Sequence, residues 1–267
     1  MTASHSEPLK AYWQPGCSSC LRMKEFLQRH GVAFESINVL ADETAFADLA
    51  RLGIRSVPII RRGDDWANGQ VLRDVARIAG IPWGGSTLLP PEALKARLDR
   101  FQSAARRFLG QLPEDKLPAL LPNRPRSYAS LAYHIFSIAD AFLDHELDGT
   151  RLDENAYNRV PGPGEDSRAA LERYAAAVAR RLEDWWTARG AQTDWARGAD
   201  VYYGEQSVHE FFERTTWHCG QHVRQFMMVL DGLGIAPRER LGPEAFADLP
   251  MPQKVWDDEP GQATRIA

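Results

Sequence analysis

The sequence predicts two domains of different class, an α/β domain with a mixed sheet followed by an all-α domain. Three observations carry this. Residues 9–80 alternate strand and helix patterns, the segment 80–91 is dense in chain breakers, and four long amphipathic stretches follow it with no further strand signal. At 267 residues the chain suffices for two domains, each burying its own core. The boundary is set at the breakers, giving domains 1–84 and 85–267.

In the first domain an apolar run, Leu9 to Trp13, reads as a strand that enters the turn Gln14-Pro15-Gly16. Ser18–His30 follows as a helix with Leu21, Met23, Phe26 and Leu27 on one face, and His30-Gly31 ends it. Ala33–Val39 is a second strand, Thr44–Leu52 a second helix, Val57–Ile60 a third strand and Val71–Ala79 a closing helix. The linker Gly80-Ile-Pro-Trp-Gly-Gly-Ser-Thr-Leu-Leu-Pro-Pro91 then breaks the pattern. Helical spacing resumes over 92–112, 127–147, 167–189 and 206–232, with Leu131, Ile135, Ile138 and Phe142 striping the second stretch and Leu171, Tyr174, Val178, Leu182 and Trp185 the third. Four helices of that length imply a bundle with two longer connections.

Composition narrows the function classes. Hydrophobic residues at 44% and charged ones at 25% are ordinary for a soluble globular protein. A net charge of −4, with no compact Lys/Arg run, gives no field for nucleic acid. No apolar stretch reaches the roughly 20 residues of a membrane helix, and MTASHSEPLK lacks a secretory apolar region. The expected location is cytoplasmic. Lysine is scarce against arginine and alanine, a coding bias of GC-rich bacterial genomes. Oligomeric state is left open.

Cys17, Cys20 and Cys219 are too few for a disulfide framework, and a close CxxC pair in a reducing compartment points to redox or metal chemistry. Cys17-Ser-Ser-Cys20 lies between strand and helix, where unpaired N–H groups and the positive helix end favour thiolate over thiol. Cys20, one turn on, can attack a mixed disulfide formed at Cys17. Half of a zinc site would look alike, but no second CxxC or HxxxH stands at zinc-finger distance. Ser56-Val57-Pro58 precedes the third strand, the place for a cis-proline facing the CxxC loop; the bland reading is a trans proline opening a strand.

Tyr12-Trp-Gln-Pro-Gly-Cys-Ser-Ser-Cys20 together with Val57-Pro58 resembles the glutaredoxin family over roughly residues 8–81. The resemblance implies a thioredoxin-like mixed-sheet domain, with Cys17 as nucleophile and Cys20 as resolving thiol. It also implies that Tyr12, Val57 and Pro58 border a glutathione groove. Two positions depart from the family pattern: Gln14 stands where a lysine is usual, and Asn68-Gly69-Gln70-Val71 replaces a Gly-Gly-x-Asp element.

In the second domain His218-Cys-Gly-Gln-His222 puts two imidazoles on one face of the fourth helix. His134 falls on the apolar stripe of the second. Three core-facing histidines from two helices match a three-ligand site with open positions, suited to Zn, Ni, Fe or Mn; a lone HxxxH on a surface helix would mean nothing. His145 lies eleven residues from His134, about 16 Å along the axis, too far to share the ion. His209 is half a turn out of phase with His218, and His5 and His30 belong to the first domain. Cys219 is turned about 100° from His218 and reads as a small buried residue. Trp185, Trp186, Trp195 and Trp217 either line a pocket or, as aromatics at helical spacing more often do, form core, and Tyr202-Tyr203-Gly204-Glu205 is set at a pocket mouth.

Leu131-Ala-Tyr-His134-Ile-Phe and Trp217-His218-Cys-Gly-Gln-His222-Val-Arg-Gln225, then Leu230-Asp-Gly-Leu-Gly234, look like the DinB-like metalloproteins, as does Leu249-Pro-Met-Pro with Val255-Trp256-Asp257. Covering about 92–260, this resemblance implies a DinB-like four-helix bundle with His134, His218 and His222 as ligands of one divalent metal ion. That family includes metal-dependent transferases and isomerases that use a low-molecular-weight thiol. The sequence-level expectation is an enzyme that adds or transfers a small thiol, glutathione first among them, to an electrophilic substrate, fused to a disulfide-reducing CxxC domain. Its rivals are a glutaredoxin-type disulfide oxidoreductase whose bundle binds a client, and a non-enzymatic metal- or redox-responsive binding protein.

Overall fold

A computed structural model describes residues 7–257, 259 and 264–265; His5 lies outside them. The chain divides into two compact units, Met1–Ser86 with Pro252–Ala267, and Thr87–Met251.

The first unit opens with β1 (Lys10–Trp13), α1 (Ser18–Arg29), β2 (Glu35–Asn38), α2 (Ala45–Arg51), β3 (Ile59–Arg62), β4 (Asp65–Asn68) and α3 (Leu72–Ala79). β1 pairs with β2 in parallel and with β3 antiparallel, and β4 closes a hairpin on β3. Because strand side chains alternate between faces, Ala11 and Ile60 point into one core with Met23, Phe26, Leu27, Val75 and Ala76. Tyr12 and Ile59 point into the other with Val39, Ala45, Leu49 and Ile54. The sheet is thus sandwiched between helices on both faces. Strand β4 was not expected from the sequence. Its turn, Gly63-Asp64, carries Gly63 at φ +60 between the paired Arg62 and Asp65, a two-residue hairpin loop.

In the second unit the long helices are α4 (Pro91–Gln111), α5 (Tyr128–Asp148), α7 (Arg168–Arg189) and α8 (Val208–Gly232), with the short α6 (Glu154–Tyr157) between α5 and α7. Strands β5 (Gly198–Ala199) and β6 (Gln206–Ser207) form a small ladder before α8. Starts are fixed by caps: Ser127 and Ser167 accept from the backbone N–H three residues on, and Ser207 with Glu210 forms a capping box. Gly149 ends α5 in the left-handed conformation. α8 packs against α4 and α5, and α5 against α7. The four stretches expected to be helical are helical to within a few residues at each end.

One boundary needs correction. The segment after Met251, assigned from the sequence to the helical domain, belongs to the first unit. There Lys24, 2% exposed, pairs with Asp257 at 2.7 Å and Glu259 at 2.8 Å, and its ammonium lies 3.7 Å from the centre of the Trp13 ring. Glu25 accepts from the backbone N–H groups of Gln253 and Lys254 at 2.6 and 2.9 Å. Trp256 lies against Gly16: a Cβ there would come within 2.4 Å of the ring, and φ of +67 disfavours a side chain besides. A short strand, β7 (Thr264–Arg265), adds to β2, so the sheet order is β4-β3-β1-β2-β7. The pattern of charges explains the difference: an ammonium buried on α1 needs carboxylates, and residues 252–259 supply them.

Candidate functional site

Cys17 is the N-cap of α1 and its sulfur accepts from the Cys20 N–H at 3.2 Å. Cys17 and Cys20 form a disulfide. Cys17 is partly exposed, whereas Cys20 is 1% exposed, so an incoming sulfur can reach only the first. The Val57–Pro58 bond is cis, Val57 is partly exposed, and the Pro58 carbonyl accepts from the Gly69 N–H at 2.9 Å. Gly69 is required at that place: a Cβ would meet the Met23 sulfur at 2.3 Å. Tyr12 does not line a surface groove as the family resemblance implied. It is 1% exposed, packed inward with Leu49 and Ile59, because the strand alternation turns it toward the α2 face.

In the helical unit the structure brings His134, His218 and His222 together, with their nearest ring nitrogens all within 4.8 Å of one another. His218 and His222 stand one turn apart on α8 with their Nε2 atoms 2.9 Å apart, and His134 on α5 meets them edge-on. All three are buried. Burial, reinforced by nearby guanidinium groups, holds each imidazole well below the usual histidine range. They are therefore neutral near pH 7, the state in which imidazole ligates metal.

Two further observations test whether these residues suit a divalent ion. The His134 Nδ1 is buried with no hydrogen-bond partner among the described residues; such an orphan costs about 1–3 kcal/mol unless a ligand takes its lone pair. His222 Nδ1 lies 2.7 Å from the Gln225 amide oxygen, an acceptor only, so Nδ1 carries the proton and Nε2 keeps its lone pair toward the cluster. The donor set fits an ion of the zinc, nickel, iron or manganese type. Gln225→Leu is expected to weaken divalent-metal affinity by about 10–100-fold, the usual effect of removing an outer partner. Competition with a chromogenic chelator measures it, and an unchanged affinity would show that the tautomer is set elsewhere.

Tyr157, which the sequence reading missed, completes the cluster. Its hydroxyl lies 2.7 Å from His218 Nε2, and its ring packs edge-on to His134 and His218. Arg214, buried one turn before His218, lies 4.5 Å from the ring centres of both Tyr157 and Tyr203. In the Tyr202–Glu205 segment Tyr203 is 2% exposed, Tyr202 is partly exposed, and Gly204 and Glu205 are exposed.

The remaining candidates have structural partners. His145 Nδ1 lies 2.9 Å from Glu146, and its Nε2 accepts from the Asp200 N–H at 3.1 Å. His209 Nε2 meets the Leu89 carbonyl at 2.8 Å, and His30 Nδ1 meets that of Phe26 at 2.8 Å. The buried Cys219 donates to the Ile135 carbonyl, and burial pushes its thiol up to about 12. Trp185, which is buried, and Trp186 and Trp195, which are partly exposed, gather around Phe212.

Residues 9–66 match the glutaredoxin family model. With the mixed sheet and helices on both faces, this match fits a thioredoxin-like domain in the first unit and supports a thiol–disulfide redox role for it. No curated protein matches the chain.

Proposed function

We propose that this chain is a thiol-handling enzyme with two sites. The first reduces disulfides through Cys17 and Cys20; the second, at His134, His218 and His222, holds one divalent ion and adds a small thiol, glutathione first, to an electrophile. The observation that carries the second half is the convergence of three buried, neutral imidazoles, one with an orphaned nitrogen. A divalent ion there supplies Lewis acidity, which favours thiolate over thiol in a small coordinating thiol. The chain's residues do the rest. Gln225 orients His222, burial of the three histidines keeps them from bulk water, and the Tyr157 hydroxyl is placed to give or take a proton beside the cluster.

At the first site the reduced Cys17 thiolate attacks a disulfide RSSR′, forming a Cys17–SR bond and releasing R′S⁻. The Cys20 thiolate then attacks the Cys17 sulfur, releasing RS⁻ and closing the Cys17–Cys20 bond. Two electrons pass to the substrate, and two equivalents of a low-molecular-weight thiol restore the pair. Cys17→Ser is expected to abolish reduction of hydroxyethyl disulfide by glutathione, while Cys20→Ser traps a mixed disulfide on Cys17 that mass spectrometry detects.

The full chain tests the whole reading. Zinc-loaded protein should consume glutathione with 1-chloro-2,4-dinitrobenzene. His218→Ala should lose that activity and keep disulfide reduction. A chain that takes up no metal would favour the rival oxidoreductase with a client-binding bundle. Full metal loading with no turnover of either kind would favour a metal- or redox-responsive binding protein.

A further inference from the structure

The Tyr157 hydroxyl stands where a metal ligand would stand. It lies 2.7 Å from His218 Nε2 and 3.1 Å from Nδ1, so it is nearer the nitrogen that faces His222 Nε2, itself 2.9 Å from His218 Nε2. Ligand atoms held about 2.0–2.1 Å from a tetrahedral ion stand about 3.4 Å from one another; this oxygen and these nitrogens are already gathered within that spacing. A residue that merely orients His218 would bond Nδ1, as the Gln225 amide does at His222. Once His218 Nε2 gives its lone pair to an ion, the hydroxyl loses its nearest acceptor. The phenol is held in place from several sides. Its ring packs edge-on to His134 and His218, with centres 5.6 and 5.5 Å apart, and the Arg214 guanidinium lies 4.5 Å from its centre. The chain around it is pinned as well. The Leu152 N–H donates to the Asp200 carbonyl and the Tyr202 N–H to the Leu152 carbonyl, each at 3.0 Å, and Arg159 bonds Asp144 on α5 at 3.0 Å. Yet α6 has only four residues and Tyr157 is half-buried, so the phenol can swing away without disturbing a long helix.

We propose that the Tyr157 phenol oxygen is a fourth ligand of the ion held by His134, His218 and His222, and that an incoming small thiol displaces it. The proposal rests on the metal reading of the three histidines and adds how that site is closed at rest. The histidines carry the binding; the phenol fills the remaining position. Four protein ligands make the closed arrangement of a structural zinc, and three with an open position the catalytic one. A ligand carried on a short helix at the surface allows the two in turn. The protons balance. On binding the ion the phenol releases its proton to solvent, because a divalent charge favours the anionic form of its ligands. When a thiol takes the position, the S–H proton passes to the phenolate, and Tyr157 is a phenol again.

Zinc titration of the full chain near pH 7 reads this directly, since a tyrosine that loses its proton changes its ultraviolet absorption. Wild type is expected to gain one tyrosinate per zinc bound and to release one proton more per ion than Tyr157→Phe, which gains none. Chelator competition should find zinc at least about tenfold weaker in Tyr157→Phe. Adding 2-mercaptoethanol to the zinc-loaded wild type should abolish the tyrosinate signal with the zinc content unchanged. One zinc per chain without a tyrosinate signal in wild type, a result that needs no variant to fold, would overturn the fourth ligand and leave the three-histidine site standing. The same signal in Tyr157→Phe would do so too. A signal that the thiol does not reverse, or reverses only by stripping the zinc, would overturn the displacement. A wild type that takes up no zinc would overturn the fourth ligand together with the metal reading itself.

Discussion

His134→Ala is expected to leave the chain essentially without bound metal, whereas His145→Ala and His209→Ala keep about one ion per chain. The contrast follows from position. His134 brings the only contribution of α5 to the cluster, and its loss leaves two imidazoles from a single helix face, 2.9 Å apart at Nε2. Two ligands seldom hold an ion that three are built to hold. His145 and His209 are as histidine-like in sequence, but their ring nitrogens are already committed to Glu146, the Asp200 N–H and the Leu89 carbonyl. Elemental analysis of the purified variants decides the matter. Equal metal in His134→Ala and wild type would remove the three-histidine site.

Ending the chain after Met251 is expected to destabilise the first unit by about 3–5 kcal/mol, the cost of stranding one partner of a buried ion pair. Lys24 would keep its burial and its contact with Trp13 while losing Asp257 and Glu259. Glu25 would lose two backbone donors, and Gly16 its cover by Trp256. Lys24→Met in the truncated chain should restore much of the loss, since a methionine of similar length asks for no counter-charge. Thermal unfolding followed in the first unit, with the helical unit as internal reference, measures both. A shortened chain as stable as the full one would show that residues 252–259 are passive. The same contacts warn against dividing the molecule at the linker: a fragment ending near residue 84 lacks the partners of its own α1.

Much of this architecture was legible because the signals were local. The caps Ser127, Ser167 and Ser207, the stripe through Leu131 and Ile138, and the glycines after α1, α3 and α5 each report on their own few residues. The CxxC at a strand–helix junction and the HxxxH face of α8 are likewise local patterns. Strand β4 was readable in principle from Gly63-Asp64, and α6 from the cap Asp153, whose carboxylate accepts from the Ala156 N–H; neither has a long enough periodic run to stand out. Tyr12 was misplaced because a family motif says which residues are near a cysteine and nothing about which face of a strand they take. What the sequence could not show was long-range: Tyr157 against His218 joins residues 61 apart, and Lys24 with Asp257 residues 233 apart. No periodicity encodes such pairs.

The return of residues 252–259 to the first unit has a consequence for synthesis. The helical unit interrupts the thioredoxin-like one in the order of translation, so the two cannot simply form one after the other. At about 5–20 residues per second, residues 87–251 take on the order of ten to thirty seconds to emerge. Throughout that interval Lys24 has neither Asp257 nor Glu259 to pair with. The contacts of Lys24 with Asp257 and of Glu25 with the Gln253 and Lys254 N–H groups can therefore close only after the whole helical unit has been translated.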